Sequence, residues 1–343
     1  MDTKIITNPS EQDIDTLARA LRNGELVSIP TETVYGLGAN GLDPEAMDKI
    51  YTAKGRPSDN PLILHVRNSE SIKPLVTEIS ATAQALMDAF WPGPLTITLP
   101  KSDLVPDRAT GGLPRVALRC PDHKVCRALL ERAGIPIAAP SANISGRPSP
   151  TTAEDVYNDM NGRISYILDA GPCTIGVEST VVEVHDDKVI ILRPGGITKA
   201  QLERVVSTVE YDTALVNATT IPKAPGMKYT HYAPDAPMTV VVGSPEGVAH
   251  TFKELSEGIE GPIGCLVSHE TYNLIKEDGR FMCHCFGHHG DALALGHDFY
   301  KSLLHFNENH VTLILAEGVD DDGFGVAIMN RMEKASSHHI IYK

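Results

Sequence analysis

The sequence predicts an α/β protein in two domains. A mixed, twisted-sheet domain occupies residues 1–210, a linker 211–237, and a small Rossmann-like, doubly wound domain 238–343. Three observations predict this. Apolar strand-like runs and amphipathic helical stretches interleave through the first domain, with a hairpin among them, so it is no simple repeat of βαβ units. Residues 211–237 change character: "IPKAPGMKYTHYAPDAP" is rich in Pro and aromatic residues and has little apolar periodicity. Beyond it, single strands alternate with helical stretches. At 343 residues the chain is also longer than one hydrophobic core usually serves.

The first helix is capped by Ser10, has Asp13 in the capping-box position and a stripe of Ile14, Leu17, Ala18 and Leu21, and ends at Gly24. "ELVSIP" reads as a buried strand and "TETVYGLGANG" as a loop. "DPEAMDKIYTAKG" is a second helix, capped by Asp43, opened by Pro44 and closed by Gly55. "LILHV" is a strand, and a helix from about Ser80 runs into "WPGP", which stops it. The strand "RVALRC", a helix from Asp122 to Ala133 and the strand "IPIAAP" follow. The loop "SANISGRPSP" then leads to a helix near Thr152 to Met160. "STVVEV" and "VIILRPGG", separated by "HDDK", form a hairpin by alternation and turn residues. In the second domain "MTVVVG", "IGCLV", "FMCHCF" and "VTLILAEG" are the strands.

Hydrophobic residues make up 42% of the chain and charged residues 22%, as in soluble globular proteins. Thirty Lys and Arg against 44 Asp and Glu leave a net charge of −14. That argues against a broad grip on nucleic acid or an anionic membrane, yet allows a small anion held by a few local cations. The six Cys are scattered, "MDTKIITNPSEQD" has no apolar signal core, and no run approaches the ~18 apolar residues needed to cross a bilayer. The expectation is a cytoplasmic protein with reduced thiols.

"GLGANG" matches the dinucleotide fingerprint GxGxxG literally. However, Arg67 and Asn68 follow the next strand where a ribose-binding acid belongs, and "PTETVY" intrudes before the first Gly. There is no GxxxxGK[ST] and no GxSxG. What remains is a set of polar residues on strand ends and loops: Thr31, Thr33, Lys54, Arg56, Asn60, His65, Arg119, Ser141, Asn143, Ser149, Ser179, Thr180 and Arg193. In "AKGRPSDNPL", Gly55, Pro57 and Pro61 place Lys54 and Arg56 on an irregular loop. Taken singly, each of these residues has a structural explanation. Together, four cations and many hydroxyls with no paired acids suggest an anionic, phosphate-bearing ligand. "CHCFGHH" (Cys283, His284, Cys285, His288, His289) fits no familiar zinc spacing and reads as a strand running into a helix start.

"PTETVYGLG", "KGRPSDNPL", "FWPGPLT", "PSANISGRPSPT", "GVESTVV" and "ILRPGG" stand in the order found in the YrdC-like L-threonylcarbamoyladenylate synthases, and residues 25 to 200 resemble that family. "GMKYTHYAP" and "LAEG…GFGVAIMNRMEKA" resemble its long form, with an extra C-terminal domain. The resemblance implies a YrdC-like catalytic domain that makes threonylcarbamoyl-AMP and pyrophosphate from L-threonine, bicarbonate and ATP. The product would pass to a separate transferase that modifies tRNA beside the anticodon. It further implies that Lys54, Arg56, Asn60, Arg115, Ser141, Asn143, Ser149, Arg193 and Tyr232 hold ATP, with Lys54 and Arg56 as the catalytic phosphate clamp. Thr33, His65, Arg119, the backbone at Ala139, and Ser179 would hold threonine. At Arg115 the chain departs from the small hydroxyl residue expected of relatives. Mg2+ is expected with ATP, although no carboxylate pair marks a metal site and no protein-bound metal is expected. Tyr232 would fold back over the nucleotide as part of a lid. The alternatives are a hydrogenase-maturation carbamoyltransferase, whose acylphosphatase domain and zinc-binding Cys pairs are missing here, and an RNA-binding module. The charge of −14 disfavours the latter, and no stable nucleic-acid binding is expected.

Overall fold

The structure, a computed structural model, describes residues 2–215 and 232–343. It divides into two compact units. One comprises 1–145, 149–174 and 178–229; the other comprises 230–343 together with the short segments 146–148 and 175–177.

The first unit runs β1 (Lys4–Thr7), α1 (Glu11–Arg22), β2 (Val27–Ile29), β3 (Gly36–Asn40), α2 (Pro44–Lys54), β4 (Ile63–His65), α3 (Ala81–Phe90), β5 (Leu95–Pro100) and α4 (Asp107–Thr110). It continues β6 (Arg115–Arg119), α5 (Lys124–Ala133), β7 (Ile137–Ala138), α6 (Ala153–Met160), β8 (Tyr166–Asp169), β9 (Thr180–Val184), β10 (Val189–Arg193), α7 (Lys199–Leu202) and β11 (Val209–Tyr211). All its strands join one mixed sheet, in the order β1-β8-β2-β3-β7-β4-β6-β5-β9-β10-β11.

Local chemistry sets the helices. Ser10 accepts from the Asp13 N–H while Asp13 accepts from the Ser10 N–H, closing the capping box of α1. The buried stripe Ile14, Leu17, Ala18 and Leu21 then packs with Cys126, Leu129 and Leu130 of α5. A second and larger core takes Met47 and Ile50 of α2, Leu86 of α3 and Val156 of α6. A third, small apolar cluster of Ile63, Ala117, Val181 and Leu192 lies on strands β4, β6, β9 and β10. Because side chains alternate along a strand, His65 and Arg119 share faces with Ile63 and Ala117.

One stretch differs from expectation. Of "TETVYGLGANG", only the first part is a loop; Gly36–Asn40 is β3, antiparallel to β2 and β7. The glycines explain this. A Cβ on Gly38 would lie 2.9 Å from the Val27 carbonyl and 3.0 Å from Ile137, and one on Gly36 would lie 3.1 Å from the Ala139 Cβ. They let strands and side chains pack closely and do not form a pyrophosphate turn. The hairpin is present as β9 and β10, with a register shift between Ile191 and Arg193.

The second unit runs β12 (Met238–Val242), α8 (Pro245–Leu255), β13 (Ile263–Ser268), α9 (His269–Ile275), β14 (Phe281–Gly287), α10 (Ala292–Glu308), β15 (Leu313–Glu317), α11 (Gly325–Ala335) and β16 (Ile340–Tyr342). Its sheet is parallel throughout, ordered β14-β13-β15-β12-β16. Four of these strands are the ones the sequence predicts. Among the described residues, no helix is long and apolar enough to cross a membrane.

Candidate active site

The polar residues singled out in the sequence gather around the ends of β4, β6, β9 and β10 and the loops beside them. The loop after β2 is shaped by Thr31, whose Oγ1 accepts from the Thr33 and Val34 N–H groups and donates to the Val34 carbonyl. This turn fixes Thr33, and its Oγ1 accepts a hydrogen bond from Arg119 Nη1 at 2.9 Å. Arg119 ends β6 in register with His65 at the end of β4. Its Nε donates to the Gly93 carbonyl at 3.3 Å, and Nη2 stands 2.7 Å from Glu32 Oε1. This last contact is one of charge alone, since neither atom has hydrogen-bond geometry with a partner.

His65 is buried, and among the described residues its Nδ1 has no hydrogen-bond partner. Burial, aided by the Arg119 charge, pulls its pKa down to about 3, so the ring is neutral at pH 7. The Ala139 N–H donates to the Ile63 carbonyl, which leaves only its own carbonyl for a ligand. Ser179 shares a hydrogen bond with Thr96 of β5 at 2.8 Å.

A second group surrounds α2. Contrary to the sequence expectation, Lys54 is not on the irregular loop. It is the last residue of α2, with the left-handed Gly55 (φ 63°) after it. Its buried ammonium donates to the carbonyls of Ser141 and Asn143, each 2.5 Å away. Burial above all, and then the neighbouring Arg56, holds the Lys54 pKa well below the usual lysine range. Arg56 does lie on the loop and donates to the Pro61 carbonyl, while the Asn60 carbonyl accepts from Tyr51 Oη. Ser141 Oγ donates to Asn143 Oδ1 at 2.6 Å. Asp159 of α6 accepts from the Ile144 N–H, tying this loop to the helix.

The two groups meet at residues 178–179. Ser149 Oγ donates to Glu178 Oε1 at 2.7 Å. Arg193, at the end of β10, donates to the Ser179 carbonyl from Nε (3.1 Å) and Nη2 (3.0 Å), and to Ser179 Oγ from Nη2 (3.2 Å). Arg115 lies apart, four residues before Arg119 on β6. Its Nη2 donates to the carbonyls of Thr98 and Val184, and with Pro61, Leu62, Leu113, Pro114 and Leu192 it lines a cleft of about 220 Å³.

Tyr232 belongs to the second unit. It is buried with φ 66°, its ring 5.3 Å from that of Tyr300 and the Arg331 guanidinium 5.9 Å from its centre. Most of the linker 211–237, to which the expected lid belongs, lies outside the described residues. In β14, Cys283 and Cys285 pack against the core while His284 pairs with Asp298. His288 pairs with Glu270, and His289 with Glu317. Among the described residues no cluster of His, Cys, Asp or Glu could hold a metal. The sequence reading missed Glu32, Glu178 and Asp159. Of these, only Glu32 left a signal, an acid between two threonines in a loop opened by proline.

Known proteins resemble this chain along nearly its whole length. A family model described as telomere recombination matches residues 19–195, and one described as the C-terminal domain of threonylcarbamoyl-AMP synthase matches 197–337. A threonylcarbamoyl-AMP synthase of Bacillus subtilis is 46% identical over 97% of this chain and 95% of its own. One from Pyrococcus abyssi is 44% identical over 96% of each. Among solved structures, P. abyssi Sua5 complexed with L-threonine superimposes with a TM-score of 0.89 at 41% identity, over 100% of this chain and 99% of its own. The chain therefore belongs to the threonylcarbamoyl-AMP synthase family, in the long form that carries a C-terminal domain.

Proposed function

We propose that this protein makes threonylcarbamoyl-AMP and pyrophosphate from L-threonine, bicarbonate and ATP, in the cytoplasm, and hands the product to the enzyme that transfers it to tRNA. The observation that carries the reading is the joint at Arg193 and Ser179, where the residues assigned to threonine and to ATP are hydrogen-bonded to each other. A reaction between the two substrates needs such a meeting point. Neither the carbamoyltransferase reading nor the RNA-binding reading is favoured by relatives 44–46% identical that are named synthases.

The chemistry follows from the residues. Threonine's neutral amine takes up bicarbonate to give a carbamate and water, and a carbamate oxygen then displaces pyrophosphate from the α-phosphorus of ATP. Little covalent help is needed; the reactants must be held in line and their charge offset. Arg119 takes the threonine carboxylate, with Thr33, His65, Ser179 and the Ala139 carbonyl around the remaining polar groups. Lys54, Arg56, Asn60, Ser141, Asn143, Ser149 and Arg193 hold the triphosphate, and the cleft beside Arg115 accommodates the base. Magnesium would enter with the triphosphate and offset its charge; among the described residues no group of three His, Cys, Asp or Glu could hold a metal ion. The test is pyrophosphate release from the purified chain. It should require threonine and bicarbonate together, and release that ignores either would overturn the reading.

A further inference from the structure

Glu32 is the least explained residue of the site. It is 7% exposed, and among the described residues neither carboxylate oxygen has a hydrogen-bond partner. A buried carboxylate normally collects donors, because losing water costs it more than any neutral group. Here its compensation is the Arg119 guanidinium, itself 3% exposed. Glu32 also acts on the nearby Cys120, Cys126, Cys173 and His123. Burial pushes the three thiols up and so keeps them protonated, and it pulls His123 toward its neutral form. On the ligand side His65 is neutral at pH 7, and Thr31 and Thr33 carry no charge.

The charge count then decides what the pocket accepts. Two buried pairs of opposite charge border the pocket, Arg119 with Glu32, and Arg193 on Ser179 with Glu178 next to it in the chain, so the sum is zero before any ligand arrives. A zwitterion, with one ammonium and one carboxylate, leaves the sum at zero. A carboxylic acid without the amine leaves a buried negative charge unmatched, which is costly. We infer that Glu32 is a specificity-determining residue: by neutralising Arg119 it makes the threonine pocket take an amino acid with its amine and refuse the same acid without one. The residue rejects the wrong ligand and adds no contact to the right one. The inference rests on the threonine-binding role proposed above.

The test is calorimetric binding of L-threonine and of 2,3-dihydroxybutyrate, threonine with a hydroxyl in place of its amine, to the full chain. Glu32→Gln keeps the shape and removes the charge, so 2,3-dihydroxybutyrate should bind it more tightly than it binds wild type. The preference for threonine should fall by about tenfold or more. Glu32→Asp draws the carboxylate back from Arg119 and should give a preference between the two; it decides alone if Glu32→Gln does not fold. Binding of both ligands weakened equally, or a preference unchanged in the folded variants, overturns the inference and leaves the synthase reading standing. A wild-type chain that binds no threonine overturns the synthase reading, and this inference with it.

Discussion

At the scale of single residues, the site is built from ionisable groups held away from their ordinary states. Lys54 has a buried ammonium facing two carbonyls, and burial holds its pKa well below the usual lysine range. Triphosphate nearby would favour the charged form. ATP binding should therefore take up protons, in the pH window between the two pKa values of Lys54. Calorimetry in buffers of different ionisation enthalpy reads this uptake directly, and Lys54→Met should abolish it. His65 gives a second signature. Its folded pKa of about 3 lies below its ordinary 6.5, so its contribution to stability is complete above pH 6.5 and is lost as pH falls toward 3. The loss should be about 1.4 kcal/mol per pH unit inside that window. Denaturant melts of wild type and His65→Gln between pH 6 and 4 should converge by that slope; parallel curves would show that the ring titrates normally.

At the scale of elements, short strands and their glycines place the chemistry. Gly195, in "RPGG" after β10, runs against the segment that bears Glu178 and Ser179: a Cβ there would lie 2.3 Å from the Thr180 nitrogen and 2.4 Å from the Glu178 carbonyl. Gly195→Ala should push that segment away from Arg193 and remove most pyrophosphate release, while Tm falls only modestly. Near-normal turnover would mean that 178–180 has room to move. The same scale explains what the sequence made legible. Capped amphipathic helices such as α1 and α2 declare themselves through Ser10, Asp13, Asp43 and Gly55, because caps and stripes are local chemistry. The strand β3 did not, since its glycines serve close packing against Val27, Ile137 and Ala139, partners distant in sequence. The short strands β1, β8 and β11 pair only with remote segments and carry little alternation of their own.

At the scale of the whole molecule, the assigned ATP and threonine residues other than Tyr232 belong to the first unit, but the chain between Asn143 and Ser149 does not wholly belong there. Residues 146–148 cluster with 230–343, and the Gly146 carbonyl accepts from the Ala233 N–H. Cutting the chain after residue 210 would remove that partner. The fragment should keep a folded core yet bind ATP more weakly than the full chain, measured by titration. Equal affinity would reduce the second unit to an appendage. The candidate residues were legible as a set because Arg56, Asn60, Ser141, Asn143 and Ser149 stand on loops marked by Gly and Pro. The sequence could not announce that Arg119 is already balanced by Glu32, or that Lys54 is enclosed by carbonyls from residues 141 and 143. Those facts depend on which loops the sheet brings together.

The six cysteines are free, and burial divides them unequally. Cys120, Cys126 and Cys173 of the first unit are buried and protonated, whereas Cys283 and Cys285 of the second are half-buried. Thiolate is the form that alkylating reagents attack. Brief iodoacetamide treatment of the native protein should thus carboxamidomethylate Cys283 and Cys285 before the buried thiols of the first unit, so a fluorophore or spin label could be installed on the C-terminal unit without mutating a single cysteine.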